Sequence, residues 1–322
     1  MAITRKGIVY TIIAIVFLAI IAIVFFTEVS YSGREKQESV ETRIMTMDDF
    51  ITDFYADADR AAYISGYRSF IAMEQYVSDP AHGFMPKPEE TFKELFMNGT
   101  IDGQPISLME NASFESYLGR VNTISKKVDI ALNLTLINVS LSQHEPWSID
   151  VQMNFSIVLI DKRGLARWNF STTVTTNIPI YDLKDPLYTV NTGLPVTIQR
   201  WNGTEFVHQA GGINDTTNLT YFINETFYIN STRAPSFLMR YSNNLSNSTY
   251  GIESMVNIQD ISQKGLPLHS SRSIIDFIYF NGSDNTAQSC NFTGLPGWIA
   301  LDNETIVLDW YQTSRIPHTN CT

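Results

Sequence analysis

Asparagine is missing from the first 97 residues of this 322-residue chain and then occurs 23 times in the remainder. Cysteine is nearly missing as well, with only Cys290 and Cys321. No CxxC, HxxxH or HExxH spacing occurs, and His82, His144, His208, His269 and His318 are scattered, which excludes the common zinc and dithiol arrangements. Basic residues are scarce, 22 Lys plus Arg against 33 Asp plus Glu for a net charge of −11, so nucleic acid is excluded as a partner and the acidity serves solubility. There is no GxSxG elbow, P-loop, GxGxxG, CxxCH or EF-hand loop. Asp48/Asp49 and Glu89/Glu90 read as solvated helix surface, and Asp284 in Asn281-Gly-Ser-Asp-Asn285 as a polar turn. The aromatic load of 12% reads as sheet core rather than a sugar-stacking surface. The sequence therefore predicts no catalytic residue, no metal site, no cofactor and no enzyme activity.

What is present begins with a single apolar run. Ile8 to Phe26 carries no charge, and as a helix it is about 28 Å long, enough to cross a hydrocarbon core. Arg5 and Lys6 precede it, while Glu28, Arg34, Glu35, Lys36 and Glu38 follow with mixed sign. The bias of positive charge predicts a single pass through the cell membrane, with residues 1–7 cytoplasmic and the rest extracellular. A cleaved secretory signal requires a small-x-small site after the run, and Thr27-Glu28-Val29-Ser30 does not supply one.

The asparagines carry the second signal. Seventeen of the 23 are followed two positions later by Ser or Thr with no intervening Pro, where random placement at this Ser/Thr content gives about four. The predicted glycosylation sites are Asn98, Asn111, Asn133, Asn138, Asn154, Asn169, Asn202, Asn214, Asn218, Asn224, Asn230, Asn244, Asn247, Asn281, Asn291 and Asn303. Asn320 is set apart because it lies beside Cys321. An oxidising compartment predicts a Cys290–Cys321 disulfide that closes a loop of about 30 residues and ties down the C-terminus. Sequons and charge bias agree on which side of the membrane the chain lies.

Val40, Ile44, Met47, Ile51, Phe54, Ala58 and Ala61 recur at helical spacing, with Asp48, Asp49, Asp53, Asp57, Asp59 and Arg60 off the seam. This predicts an amphipathic stalk helix over 27–80, broken at Ser32-Gly33 and ended by Asp79-Pro80. Its seam fits either a neighbouring copy or the protein's own sheet, and the heptad pattern fails at Ser65 and Arg68. From Lys127 the period becomes two. Ile130 to Leu136, Val151 to Leu159 and Trp168 to Val174 alternate with polar residues, with Asp161 to Gly164 as a turn. Asn133, Asn154 and Asn169 fall in the polar phase. Asn218, Asn224 and Asn230 also stand opposite Leu219, Tyr221, Ile223, Phe227 and Ile229, which predicts a second glycan-shielded sheet. Ile178 to Pro195 reads as an irregular linker. Ser273 to Phe280, Cys290, Trp298 and Ile306 to Leu308 read as short strands.

The fold class so predicted is α+β: a transmembrane helix over 8–26, the stalk, and a mainly antiparallel, sandwich-like ectodomain in two parts, 81–190 and 191–322.

Arg5-Lys6-Gly7 directly before an apolar helix resembles the class III leader of type IV pilins. The resemblance implies cleavage between Gly7 and Ile8 and association with copies of itself through the N-terminal helix. The acidic residue common near the start of the mature pilin helix is absent, since Ile12 and Ile13 stand there. Asp185 to Thr192 (DPLYTVNT) and Trp298 to Glu304 (WIALDNE) are similar to segments of uncharacterised archaeal single-pass surface glycoproteins, which implies an archaeal envelope location. The reading is a membrane-anchored, N-glycosylated structural protein of the cell surface, pilin-like in its anchor. Its alternatives are a monomeric tethered adhesin or receptor and, in another class, an extracellular hydrolase.

Overall fold

The structure, a computed structural model, describes residues 5–210, 213–269, 272–281, 289–302 and 309–319. Its elements in chain order are α1 (Arg5–Ser78), α2 (Pro88–Asn98), β1 (Thr100–Ile101), β2 (Gln104–Pro105), α3 (Phe114–Lys127), β3 (Ile130–Glu145), β4 (Ser148–Asp161), β5 (Arg167–Pro179) and α4 (Pro186–Thr192). There follow β6 (His208–Ala210), β7 (Ile213–Asp215), α5 (Thr217–Asn224), β8 (Tyr228–Asn230), α6 (Phe237–Tyr241), β9 (Ile252–Ser254), α7 (Ile258–Gln263), α8 (Asp276–Tyr279), β10 (Ser289–Phe292), β11 (Ala300–Asp302) and β12 (His318–Thr319). The class is α+β, 44% helix and 25% strand, with a single N-terminal apolar helix and small antiparallel sheets.

The chain forms two compact units. Unit 1 comprises 1–57, 119–135 and 155–172; unit 2 comprises 58–118, 136–154 and 173–322. The ectodomain boundary expected at 190/191 falls inside unit 2.

Helix α1 passes through Ser32-Gly33 without interruption, correcting the expected break. A lone glycine inside a helix costs only about 1 kcal/mol, which its many flanking hydrogen bonds absorb. The helix ends at Ser78, before Asp79-Pro80, where proline lacks the N–H to continue it.

In unit 1 the seam lies on the protein's own sheet. Met47, Ile51 and Phe54 are buried, Phe54 meets Phe155 edge-on at 5.6 Å, and Tyr55 Oη donates to Thr172 Oγ1 at 3.1 Å. Arg43 closes the same face, donating from Nε to Asp161 Oδ1 at 2.8 Å. Burial opposes the charge of Asp161, but hydrogen bonds from Arg43 and from the Leu165 and Arg163 N–H groups outweigh it and hold the carboxyl below its ordinary range.

The sheet of order β3-β4-β5 shows the predicted alternation. On β4, Val151, Met153, Phe155, Ile157 and Leu159 are buried while Gln152 is exposed and Asn154 and Ser156 are half-buried.

In unit 2, α1 continues inward through small polar residues rather than ending its packing face at Ser65. Ser65 Oγ donates to Phe96 O at 2.9 Å and Ser69 Oγ to Ser65 O at 2.8 Å, so both hydroxyls are satisfied inside the core. Phe70 packs on Phe92 and Phe237 with ring centroids 4.7 and 5.8 Å away.

Three local readings are corrected here. Thr217–Asn224 is helix α5, not strand, with Leu219, Phe222 and Ile223 buried and Tyr221 exposed. The expected linker holds α4, a helix capped by Asp185, whose Oδ1 accepts from Leu187 N at 2.8 Å, and closed by Gly193 in the left-handed region. Ser273 to Phe280 makes one bridge, Ile275 with Met255, and then turns into α8. Ile306 to Leu308 lies outside the described residues.

Candidate functional site

The strongest concentration of charge in unit 2 is buried. Arg240, on α6, is fully enclosed and its Nη1 donates to Asp185 Oδ2 at 2.6 Å and to Asp276 Oδ2 at 2.9 Å. Its Nη2 donates to the carbonyl of Ile252, and its guanidinium lies 5.8 Å from the Tyr228 ring centroid. Tyr228 Oη donates to Asp185 Oδ2 at 2.8 Å, and Ser254 donates to Asp276 Oδ2 through Oγ at 2.9 Å and N at 3.1 Å. Among the described residues, only Arg240 Nε in this cluster lacks a partner.

Burial works against the charge on Arg240, yet the Asp185 and Asp276 carboxylates more than offset it and hold the guanidinium firmly protonated. Burial raises the Asp276 carboxyl above its ordinary value despite Arg240, and it drives the Tyr188 and Tyr228 hydroxyls well up. The cluster has no opening of its own, so its role is to fasten α4, β8, α6, β9 and α8 together. Sequence reasoning did not find it. The signal was present as lone charges within apolar runs, Arg240 in FLMRY and Asp276 in SIIDFIYF, since such residues are buried only when paired.

A second feature of unit 2 faces solvent. A cavity of about 290 Å³ is lined by Trp147, Arg200, Trp201, Gly203, Phe206, Asn230, Trp310 and Gln312, among others. A neighbouring one of about 410 Å³ shares Arg200 and is lined by Tyr181, Phe227 and Asn202. Tyr181 and Trp147 stack at 5.8 Å with an 11° tilt, and Arg200 lies 5.5 Å above the Trp147 ring. Trp201 stacks on Phe206 at 5.7 Å and meets Phe222 edge-on at 5.6 Å. Gly203 is required beside it, because a Cβ there would fall 2.2 Å from the indole. Gln312 takes positive φ and accepts the N–H groups of Phe206 and Val207 on Oε1 at 3.0 and 3.1 Å, which fixes this rim in place. The aromatic residues assigned to sheet core thus include a set gathered around an open cleft.

Most of the predicted glycosylation sites among the described residues are exposed. Asn98, Asn111, Asn133, Asn138, Asn169, Asn202, Asn218, Asn224, Asn230, Asn244, Asn247, Asn281 and Asn291 are exposed; Asn154 and Asn214 are half-buried. The one buried asparagine among the described residues, Asn257, is outside any sequon and caps α7. Asn303 and Asn320 lie outside the described residues. Cys290 is buried on β10 and disulfide-bonded; Cys321 lies outside the described residues. Gly7 and Ile8, at the expected leader cleavage, are both within α1, with Gly7 exposed.

Val9–Glu28, within α1, is long and apolar enough to cross a membrane, with a mean hydropathy of 3.1 and none of it buried in the protein. Among the described residues no group of three or more His, Cys, Asp or Glu is placed to hold a metal ion. Comparison with protein-family models, with curated proteins and with solved structures gives no match.

Proposed function

We propose that this chain is a single-pass cell-surface glycoprotein, cytoplasmic at its N-terminus and carrying N-linked glycans on an extracellular α+β ectodomain, with a structural role in the envelope. The observation that carries it is Val9–Glu28, where Phe17, Leu18, Phe25 and Phe26 are each more than 60% exposed. Such a helix is stable only where hydrocarbon replaces water. The exposure of the sequon asparagines supports the glycan part of the reading, because a glycan attached to a buried side chain would have no exit. A sandwich-like pairing of the ectodomain sheets and an archaeal envelope location belong to the same proposal.

The finer form is a pilin-like filament subunit, favoured by the leader resemblance and by the continuity of α1 beyond its apolar part. The alternative, a monomeric tethered adhesin or receptor, is favoured by the seam: Met47, Ile51 and Phe54 face the protein's own sheet, so they are not available to a second copy.

Intact-mass and glycopeptide spectrometry of the native protein separates these. A mature terminus at Ile8 with sugars on the exposed sequons is expected of the pilin-like form, and a terminus at Met1 or Ala2 with the same sugars of the tethered monomer. A terminus near Val29, or unmodified amides throughout, would overturn the proposal.

A further inference from the structure

Three of the five tryptophans in the chain, Trp147, Trp201 and Trp310, line one groove. Core packing explains Trp147, which is 7% exposed, but not Trp310, which is 52% exposed at the edge of that groove. A large aromatic face left in water forgoes burial worth on the order of 1–2 kcal/mol. The groove therefore offers one exposed indole, that of Trp310, bordered by polar side chains, Arg200 and Gln312. That combination suits a ring with an apolar face of C–H groups and a rim of hydroxyls, which is a pyranose. Its volume of about 290 Å³ is at the lower end for small-ligand clefts, the scale of a sugar ring rather than a large cofactor.

Asn230, an exposed sequon asparagine, is itself one of the lining residues. We propose that the groove seats the proximal sugars of the glycan carried by Asn230, laid against the exposed indole of Trp310. This rests on the glycoprotein reading above and gives one glycan a defined site on the fold. Attachment favours this occupant over a free saccharide, because a tethered ring is presented at millimolar effective concentration without paying for association from solution. A shallow cleft is sufficient under those conditions. Asn202, the other sequon nearby, lines the neighbouring cavity with Tyr181 and Phe227 and is not among the residues that line this groove.

The test uses the full glycosylated chain in detergent. Glycopeptide spectrometry first establishes whether Asn230 is occupied; a bare Asn230 overturns both this proposal and the glycan reading at that position. With Asn230 occupied, acrylamide quenching of tryptophan emission is compared among wild type, N230Q, T232A, N202Q and N98Q. N230Q and T232A, which remove the same sequon through different residues, should each raise the quenching constant, because one emitter of the five, Trp310, loses its cover. N98Q and N202Q should leave it unchanged, and in a W310F background N230Q should have no further effect. Unchanged quenching in both N230Q and T232A overturns the proposal while leaving the glycoprotein reading intact. An equal rise in N98Q, a rise confined to N202Q, or protection of the N230Q variant by micromolar free saccharide, which would make the groove a receptor for soluble sugar, overturns it as well.

Discussion

A guanidinium sealed from water between two carboxylates is tolerable only while all three groups stay in register. Removing one leaves uncompensated charge in the interior, which is more costly than never having built the cluster. Arg240→Met is therefore expected to destabilise the protein by about 3–5 kcal/mol, measured by denaturant unfolding, because Asp185 and Asp276 lose their common partner. Glu74 is a second residue that burial perturbs. It is 7% exposed, its Oε1 accepts from Lys184 N at 2.8 Å, and burial, opposed by that hydrogen bond, pushes its carboxyl up to about 7 from 4.5. The folded state thus holds this proton more tightly than the unfolded chain does. The contribution is fully present below about pH 4.5 and is lost as pH rises to about 7, at up to roughly 1.4 kcal/mol per pH unit. Glu74→Gln should flatten that part of the profile, seen as the difference between wild-type and variant unfolding curves across the window.

At the scale of elements, close backbone approach decides which glycines can change. Gly251, at the turn into β9, would place a Cβ 2.1 Å from Ala234 O and 2.3 Å from Ser231 O. Backbone oxygens cannot step aside, and Gly251→Ala is expected to cost about 3 kcal/mol. Gly66 in α1 would meet Ile178 Cδ1 at 2.3 Å, the end of a side chain that can rotate. There the gain of about 1 kcal/mol in helix propensity offsets the repacking, so Gly66→Ala should unfold within about 1 kcal/mol of wild type in the same measurement.

Elements with a long run of one period were legible in the sequence. The apolar helix, its amphipathic continuation and the β3-β4-β5 alternation each extend over a dozen residues or more, so one misleading position does not alter the pattern. Short elements gave no such averaging. Leu219 and Ile223 are four apart, a spacing that satisfies both an alternating strand and one turn of helix; Phe222, buried, and Tyr221, exposed, decide for helix. In the expected linker, proline and glycine read as irregular chain, although Asp185-Pro186 at the start and Gly193 at the end are also a helix cap, first turn and terminator. The aromatic groove was not legible, because Trp147, Trp201 and Trp310 come together only through tertiary packing.

At the scale of the whole molecule the exposed apolar helix dominates behaviour in solution. Leu18, 69% exposed, lies in the middle of Val9–Glu28. Leu18→Arg adds about 3 kcal/mol to the apparent insertion free energy. The variant should move from the alkali-resistant membrane fraction to the soluble or aggregated one, with wild type retained in membranes.

The cluster around Arg240 also sets an order on biogenesis. Its acidic members come from distant points of the polypeptide, and seven sequon asparagines, from Asn202 to Asn247, lie between Asp185 and Asp276. A ribosome delivers Asp185 first and Asp276 last, so the knot that fastens unit 2 cannot be tied until the whole intervening stretch has emerged. Any modifying enzyme waiting at the exit therefore meets those seven positions on a slack thread, before folding has decided which of them will face outward.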